Sequence, residues 1–261
     1  EFPGRRFFSW ALLLPLAIPA YVIGFVAIGL LDFTGPLQTG LRSLTGSLLP
    51  WFPPVRSRGG VILVMTLALY PYVYLLARNA FRTQGRRMLE AGRALGLDPW
   101  QAFFRVAIPM ARPWVAAGLM LVVMETLADF GTVAVFNYDT LTTGVYKAWY
   151  GLFSITAASQ IASILILIAL AALLLEQQTR LRMRFTPAHT GGETPRIELN
   201  GAHRFGAIFA CTVVLGIGFI VPAGQLSFWV IRTTATDFDS RYLEYLWHSL
   251  MLGALAALLV T

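Results

Sequence analysis

The chain of 261 residues is 57% hydrophobic and only 13% charged, with a mean hydropathy of +0.66. This composition excludes an ordinary soluble domain, because such domains carry about twice this share of charged residues. The lone cysteine, Cys211, excludes an internal disulfide framework. The net charge of +7 does not indicate a nucleic-acid-binding protein, because the arginines border apolar stretches instead of covering a polar face.

Apolar stretches of membrane-spanning length recur along the whole chain. They lie near Phe7–Leu31, Gly60–Phe81, Met110–Phe136, Phe153–Leu175 and Phe205–Ile231, and a last one begins near Leu246. The pattern predicts an all-α polytopic membrane protein. No signal peptide precedes the first stretch, and its prolines make it a poor signal peptide itself.

Basic residues are distributed unevenly between the segments that connect these stretches. Residues 1–6, 78–112 and 176–204 carry two, seven and five of the 20 Lys and Arg residues. Cytoplasmic segments of membrane proteins are enriched in Lys and Arg, so we expect these three segments on the cytoplasmic side.

A polar, cationic segment, Glu90–Pro109, separates the second and third apolar stretches. We call it the polar segment. Its residues predict two short helices at an angle. Met88–Leu95 suits a helix that ends at Gly96, a residue type that accepts the left-handed conformation common after a helix. Asp98 is then placed to cap a second helix that starts with Pro99.

Two further residues extend this prediction. Gln101 lies three residues after Asp98, so its amide can reach back to the cap as in a capping box. Pro109 has no N–H group and breaks the hydrogen-bond ladder of a helix interior, so we expect a bend before the third apolar stretch. On these capping signals alone, a cytoplasmic loop without a special function fits equally well.

Two ionisable residues, Glu125 and Asp129, lie four apart on one face of the third apolar stretch. Ionisable groups at membrane depth usually face a cavity or a partner, so both are candidates for a substrate pathway. A structural alternative stays open for each of them. Glu125 can pair with an arginine or a hydroxyl group of another span, and Asp129 can cap the end of the helix.

Other residues give weaker indications. Tyr70, Tyr72 and Tyr74 alternate around Pro71. Their phenol oxygens can in principle bind a hard metal ion, but we interpret them mainly as helix-packing residues. The three histidines, His189, His203 and His248, have no metal-ligand spacing. The sequence contains neither a phosphate-binding Gly-rich motif nor a recognisable hydrolase or redox motif, so we expect no catalysis, bound cofactor or bound metal in this chain.

The chain starts at Glu1 and stops at Thr261 inside an apolar run, which suggests a fragment of a longer protein. Residues 185–204 contain several Pro and Gly residues and no apolar periodicity, so they predict a cytoplasmic linker. The predicted organisation is a unit over 1–184, this linker, and the truncated start of a second unit over 205–261.

The polar segment resembles the EAA loop of ABC importer permeases, in which Glu-Ala-Ala is followed by a Gly and by a final Pro. The matching positions are Glu90, Ala91, Gly96 and Pro109. The departures are Gly92, Val106 and Ile108, which keep the size and polarity class of the residues they replace. The resemblance implies the type I transmembrane-domain fold of ABC importers, present here as a fragment. It also implies that residues 82–109 form a cytoplasmic loop that carries the motion of a separate ATPase dimer to the membrane helices, with Glu90, Ala91, Gly92, Gly96, Asp98, Pro99 and Pro109 as the coupling residues.

Most of the chain is similar to fused permeases for ferric iron, which carry two such halves in one polypeptide. The similarity rests on Glu1–Gly35, Leu69–Ala77, Met124–Phe136 and Thr142–Tyr146. It implies a multi-pass protein of the bacterial inner membrane that receives ferric iron from a periplasmic binding protein. The second half is expected in the same polypeptide or as a second chain. ATP is expected only on the ATPase partner, and Glu125 and Asp129 would offer oxygen ligands, which Fe³⁺ prefers.

Other function classes remain open at this point. A related ABC permease for thiamine, phosphonate or molybdate would keep the same loop. A secondary transporter or a structural membrane subunit would share the composition but would need no ATPase partner.

Overall fold

A computed structural model describes residues 2–46, 51–94, 96–182, 199, 201–237 and 241–260. Every regular element in these residues is helical, which confirms the predicted all-α class. The chain divides into two compact units, Glu1–Ile220 and Val221–Thr261. Residues 185–198 of the predicted linker lie outside the described part of the chain.

The first unit contains most of the helices. Its α-helices are α1 (Arg5–Ala11), α2 (Ala20–Leu31), α3 (Pro36–Thr45), α4 (Arg58–Ala94), α5 (Pro99–Ala102), α6 (Ile108–Ala128), α7 (Gly131–Val135), α8 (Leu141–Tyr146), α9 (Ile155–Arg182) and α10 (Ala202–Leu215). A 3-10 turn occupies Leu14–Ala17, and π-helical turns occupy Phe103–Ala107, Lys147–Gly151 and Gly216–Ile220. The second unit contains α11 (Val221–Asp237) and α12 (Arg241–Val260).

Six stretches of the described residues are long and apolar enough to cross a membrane. They are Ala20–Thr45, Arg58–Thr83, Trp100–Ala128, Ile155–Gln178, Ala202–Arg232 and Arg241–Leu259. They follow the order of the six apolar stretches of the sequence. The last one starts earlier than predicted, because Arg241–Val260 forms one 20-residue helix.

Two of the predicted stretches are divided in the structure. The first, Phe7–Leu31, is interrupted between α1 and α2, where Pro15 and Pro19 cannot continue a regular helix. The third ends early because Asp129 adopts an extended conformation (ψ 125°) that stops α6 at Ala128. The remainder of that predicted stretch contains the short helix α7.

The main hydrophobic core lies between α2, α4 and α7. Phe136 follows α7 and is almost completely buried at its centre. The other buried members are Ile23, Ile28, Val61, Val64, Met65, Ala68, Leu69 and Val133. This core fixes the N-terminal part of α4 against the segment that follows α6.

Helix α4 forms an antiparallel hairpin with the following segment of α5 and α6, and the two approach closely at two glycines. A Cβ atom added to Gly118 on α6 would lie 2.8 Å from Cα of Val73 on α4. A Cβ atom added to Gly92 near the end of α4 would lie 2.5 Å from Cβ of Ala102 on α5. Small residues allow such backbone-to-backbone contact between membrane helices. The pairs 73–118 and 92–102 therefore fix the register of the hairpin.

The register contact at Gly118 can be tested by enlarging the residue. We expect Gly118→Val to destabilise the protein by about 1–3 kcal/mol, because the new side chain meets the backbone of α4 and not the end of a flexible side chain. The measurement is the thermal loss of helical circular dichroism in detergent. Gly206→Val on α10 is the matched control, since a Cβ atom there meets nothing within 4 Å. Equal melting of the two variants would contradict the assignment.

Candidate functional site

Helix α4 extends from the second apolar stretch directly into the polar segment. The separate short helix predicted over Met88–Leu95 is wrong, because these residues continue a single 37-residue helix that ends at Ala94. The residues between Phe81 and Met88 include Arg and Gln, which are good helix formers, so the helix continues through this polar stretch.

The predicted stop at Gly96 is confirmed. Gly96 has a φ of +69°, in the left-handed region that favours glycine. The N–H of Leu97 donates a hydrogen bond of 3.0 Å to the carbonyl of Gly92, which is the long-range bond of a Schellman motif. Glu90 and Ala91 lie in the last turns of α4 just before this motif, and only their backbone is described.

Asp98 caps the second helix, as predicted. Its Oδ1 accepts hydrogen bonds from the backbone N–H groups of Trp100, at 2.8 Å, and of Gln101, at 2.9 Å. The helix starts at Pro99, whose missing N–H is not needed in a first turn. The return bond from the Gln101 amide to Asp98 is not among the hydrogen bonds of the described residues, so the cap is one-sided.

Pro109 is accommodated by a π-helical turn. The turn spans Phe103–Ala107, and the N–H of Ile108 donates to the carbonyl of Phe103, five residues earlier. A proline ring in a regular helix collides with the carbonyl four residues before it, and the wider π turn relieves that collision. This π turn lies where a bend was expected before the third apolar stretch, and α6 follows it at once.

Gly92 and Ala102 hold the two arms of the polar segment together. Both are buried, and the calculated Cβ contact of 2.5 Å leaves no room for a larger residue at position 92 without movement. Gly92 stands where the EAA pattern has a second alanine. In this chain the missing methyl group at Gly92 leaves room for the methyl group of Ala102 on the other helix of the polar segment.

The polar segment also presents an aromatic surface that sequence reasoning missed. Trp100 is 50% exposed and Phe104 is 61% exposed, and their rings stack with centroids 6.2 Å apart. The ring of His203 lies 5.2 Å from that of Trp100. The signal in the sequence is the spacing of four between two large aromatics directly after a helix cap, which places them on one face.

A second polar site lies among the candidate spans Ala20–Thr45, Arg58–Thr83 and Trp100–Ala128 and the turns beside them. It is a cavity of about 280 Å³, which we call the carboxylate cavity. Its lining residues are Leu16, Ile18, Pro19, Ala20, Tyr21, Met65, Ala68, Leu69, Tyr72, Glu125, Asp129 and Gly131. The structure thus brings the two carboxylates predicted as pathway residues to one cavity, and none of the described residues that line it is Lys, Arg or His.

Asp129 has a structural role as well. Its Oδ1 accepts hydrogen bonds from the N–H groups of Thr132, at 2.9 Å, and Val133, at 3.3 Å, and its Oδ2 accepts one from the Thr132 hydroxyl at 2.9 Å. The Thr142 hydroxyl donates to the Asp129 carbonyl at 2.9 Å. These bonds cap the start of α7 and hold α8 beside it. The structural alternative from the sequence placed the cap at the end of the preceding helix, α6, whereas the carboxylate caps the helix that follows.

Glu125 pairs with a tyrosine of α4. Its Oε1 lies 3.5 Å from the hydroxyl of Tyr72, which is at the long limit of a hydrogen bond. The other two tyrosines of this run turn to a different face. The hydroxyl of Tyr70 donates to the Leu12 carbonyl at 2.9 Å, and that of Tyr74 donates to the Ser9 carbonyl at 3.4 Å. The packing interpretation therefore holds for Tyr70 and Tyr74, whereas Tyr72 lines the cavity.

The two sites lie at different levels of the same helices. Glu125 is fifteen residues from Met110, or about 22 Å along α6. Among the described residues, no three of His, Cys, Asp and Glu come together as a set able to hold a metal ion. The arrangement is thus a polar site at one end of a helical hairpin and a cavity with two carboxylates further along it.

Comparisons with known proteins give a consistent result. Residues 1–186 match the family described as "Binding-protein-dependent transport system inner membrane component". The chain is 29% identical over 268 residues to an Fe(3+)-transport system permease protein, FbpB 2, of Haemophilus influenzae, with 99% of this chain and 48% of that protein covered.

Two further relatives have names that refer to molybdenum. A probable molybdenum ABC transporter permease of Haloferax volcanii is 32% identical over 177 residues, with 67% of this chain and 62% of the relative covered. The molybdenum transport system permease ModB of Escherichia coli is 26% identical over 185 residues, with 67% of this chain and 77% of the relative covered. The chain spans about half the length of the iron permease it matches.

The cap at Asp98 can be tested by removing its acceptor. We expect Asp98→Ala to destabilise the start of α5 by about 0.5–2 kcal/mol, because two N–H groups lose their partner. The measurement is hydrogen–deuterium exchange of the peptide that contains Trp100 and Gln101, which should become severalfold faster. Asp98→Asn is the control, since its side-chain oxygen still accepts these bonds. Exchange that is unchanged in Asp98→Ala would show that the cap contributes nothing.

Proposed function

The chain belongs to the family of binding-protein-dependent transport system inner membrane components, and we propose that it forms part of the translocation path of an ATP-driven importer of ferric iron. The family consists of ABC importer permeases, which are transporters with the all-α, type I membrane-domain fold. With six candidate membrane spans among its described residues, the chain is a multi-pass integral membrane protein. The carboxylate cavity is the observation that carries the choice of cargo.

The polar segment is the proposed contact with the ATPase subunits. Its coupling residues are those that match the EAA pattern or shape the turn: Glu90, Ala91, Gly92, Gly96, Asp98, Pro99 and Pro109. A Schellman motif, an Asp cap and the Gly92–Ala102 contact give it a defined shape. The exposed rings of Trp100 and Phe104 add an apolar surface for a partner.

The helical hairpin supplies the mechanical connection between the two sites. Helix α4 runs without interruption for 37 residues, which is about 55 Å, and contains both Gly92 and Tyr72. Twenty residues, or about 30 Å, separate these two positions. A displacement of the polar segment is therefore transmitted along α4 to the cavity, provided that nucleotide binds the two states of the importer differently.

The charge of the carboxylate cavity favours a cation as cargo. Glu125 and Asp129 place two negative groups among mostly apolar lining residues, and no basic side chain of the described residues opposes them there. Such a cavity attracts a metal cation and repels molybdate or sulfate. Fe³⁺ also prefers oxygen ligands, which this cavity offers.

Location and partners follow from the family and the charge distribution. We place the protein in the bacterial inner membrane with the polar segment in the cytoplasm, where its excess of arginine is favoured. A periplasmic binding protein delivers the iron, and ATP is bound and hydrolysed on separate ATPase subunits.

The second permease half is proposed to follow in the same polypeptide. The iron permease relative is about twice as long as this chain, and the family match ends at residue 186, where the predicted linker begins.

An oxyanion permease is the second candidate, because several relatives have names that refer to molybdenum. A permease for thiamine or phosphonate would use the same coupling residues, but no described contact favours either cargo. A secondary transporter or a structural subunit does not account for the family match.

The coupling role can be tested at Gly96 and Glu90. We expect Gly96→Val to abolish uptake, because a β-branched residue at positive φ costs about 1–2 kcal/mol and distorts the turn. Glu90→Lys should have the same effect through the reversed charge. The measurements are iron uptake by cells and the amount of protein in the membrane fraction, which should not change. Gly96→Asn is the control, since Asn tolerates this φ. Normal uptake by Gly96→Val and Glu90→Lys would disprove the coupling assignment.

The cargo can be tested by expressing the complete gene with its ATPase and binding protein. We expect uptake of radioactive iron and no uptake of molybdate. Glu125→Gln should lower iron uptake at least about tenfold, because opposite unit charges 4 Å apart interact by about 4 kcal/mol at an effective dielectric constant of 20. Asp139→Asn is the control, since Asp139 is an exposed carboxylate outside the cavity. Molybdate uptake without iron uptake would establish the second candidate instead.

A further inference from the structure

We propose that the phenol of Tyr72 and the carboxylate of Glu125 form a contact point that binds Fe³⁺ in transit through the carboxylate cavity. The inference rests on the proposed function, because it specifies how that cavity handles ferric iron. The proposal adds Tyr72 of α4 to the carboxylates in and directly after α6, so that both helices of the hairpin contact the iron.

The three tyrosines of α4 are distinguished by their positions around the helix. Tyr70 and Tyr74 are four residues apart and share a face, where their hydroxyl groups donate to backbone carbonyls. Tyr72 lies about 200° around the helix from Tyr70, on the side of α6. Tyr72 is the one of the three that lines the carboxylate cavity. Tyr70 and Tyr74 have structural partners, whereas Tyr72 lies against a carboxylate.

The two groups differ in how free they are to bind a metal. Both oxygens of Asp129 accept hydrogen bonds from Thr132 and Val133, so this carboxylate is held in place and contributes mainly its charge. The carboxylate of Glu125 has the single long contact of 3.5 Å to Tyr72 among the described hydrogen bonds. Exchanging that contact for a metal–oxygen bond therefore disrupts little of the structure.

The chemistry of the pair suits a hard trivalent cation. Fe³⁺ binds oxygen ligands, and a deprotonated phenol is a strong one. As the iron–phenolate bond forms, a water ligand leaves the iron, the O–H bond of Tyr72 breaks, and the proton moves to that released water, so the Glu125 carboxylate stays ionised and binds the metal. Return of this proton to the phenolate releases the ion. No electron is transferred, and the iron remains trivalent throughout.

A contact point with few ligands is consistent with transport. Residues that bind a transported ion must bind it well enough to admit it and weakly enough to release it. The described residues provide no third His, Cys, Asp or Glu close enough to complete a permanent site around this pair. The pair therefore binds iron transiently as it passes.

The inference is tested by the colour of the bound iron. The permease and its ATPase are purified in detergent without the binding protein and titrated with ferric nitrilotriacetate. We expect the visible absorption band of a phenolate-to-iron charge transfer. Tyr72→Phe should remove the band, whereas the matched controls Tyr70→Phe and Tyr74→Phe should retain it. Size-exclusion chromatography establishes that all three variants fold.

Uptake of radioactive iron by cells with the same variants separates the two proposals. We expect uptake to fall roughly tenfold in Tyr72→Phe, the size of effect seen when a group that supports metal binding is lost, and to stay normal in the controls. A band that persists in Tyr72→Phe, or no band in a wild-type protein that still imports iron, would overturn the role of Tyr72 alone. Absence of iron uptake by the wild type would overturn the proposed function itself.

Discussion

Close contact between the two arms of one helical hairpin determines most of this structure. Gly118 lets α6 approach the backbone of Val73, and Gly92 lets α4 approach Ala102. Without a Cβ atom at these positions, the helices can pack backbone to backbone, and their register is fixed at two points along their length. The polar segment at one end and the Tyr72–Glu125 contact further along are both consequences of that register.

The polar residues within the membrane-spanning region combine structural and chemical roles. Asp129 stops α6, caps α7 and at the same time adds a negative charge to the carboxylate cavity. A carboxylate inside a membrane domain is costly unless hydrogen bonds satisfy it, and the N–H groups of Thr132 and Val133 meet this requirement. The charge that favours a cation is therefore kept in place by the same bonds that shape the helix end.

Local chemistry made the polar segment predictable from the sequence. The stop at Gly96 and the cap at Asp98 depend on residues no more than four positions away, and both are found as expected. The division of the first apolar stretch also had a local cause in Pro15 and Pro19. It was missed because the stretch was assigned from its apolar composition alone. The uninterrupted course of α4 from span to polar segment was missed because a change in polarity does not end a helix.

Features that depend on distant contacts were not predictable in this way. The sequence placed Glu125 and Asp129 on one face and led us to expect a cavity or a partner beside them. It did not show which residues line that cavity, because the lining comes from α2, α4, α6, the start of α7 and the turns between them. It also grouped Tyr72 with Tyr70 and Tyr74, because their partners, Glu125, Leu12 and Ser9, lie more than 50 positions away.

The π-helical turn at Phe103–Ala107 has a geometric effect beyond the accommodation of Pro109. A π turn takes up one more residue than an α-helical turn, so it changes the rotational phase of everything that follows it. If the same residues kept α-helical pitch throughout, Glu125 would lie about 100° around the helix axis from its present position relative to Trp100. One proline thus sets the angular offset between the exposed aromatic surface and the carboxylate that contacts Tyr72.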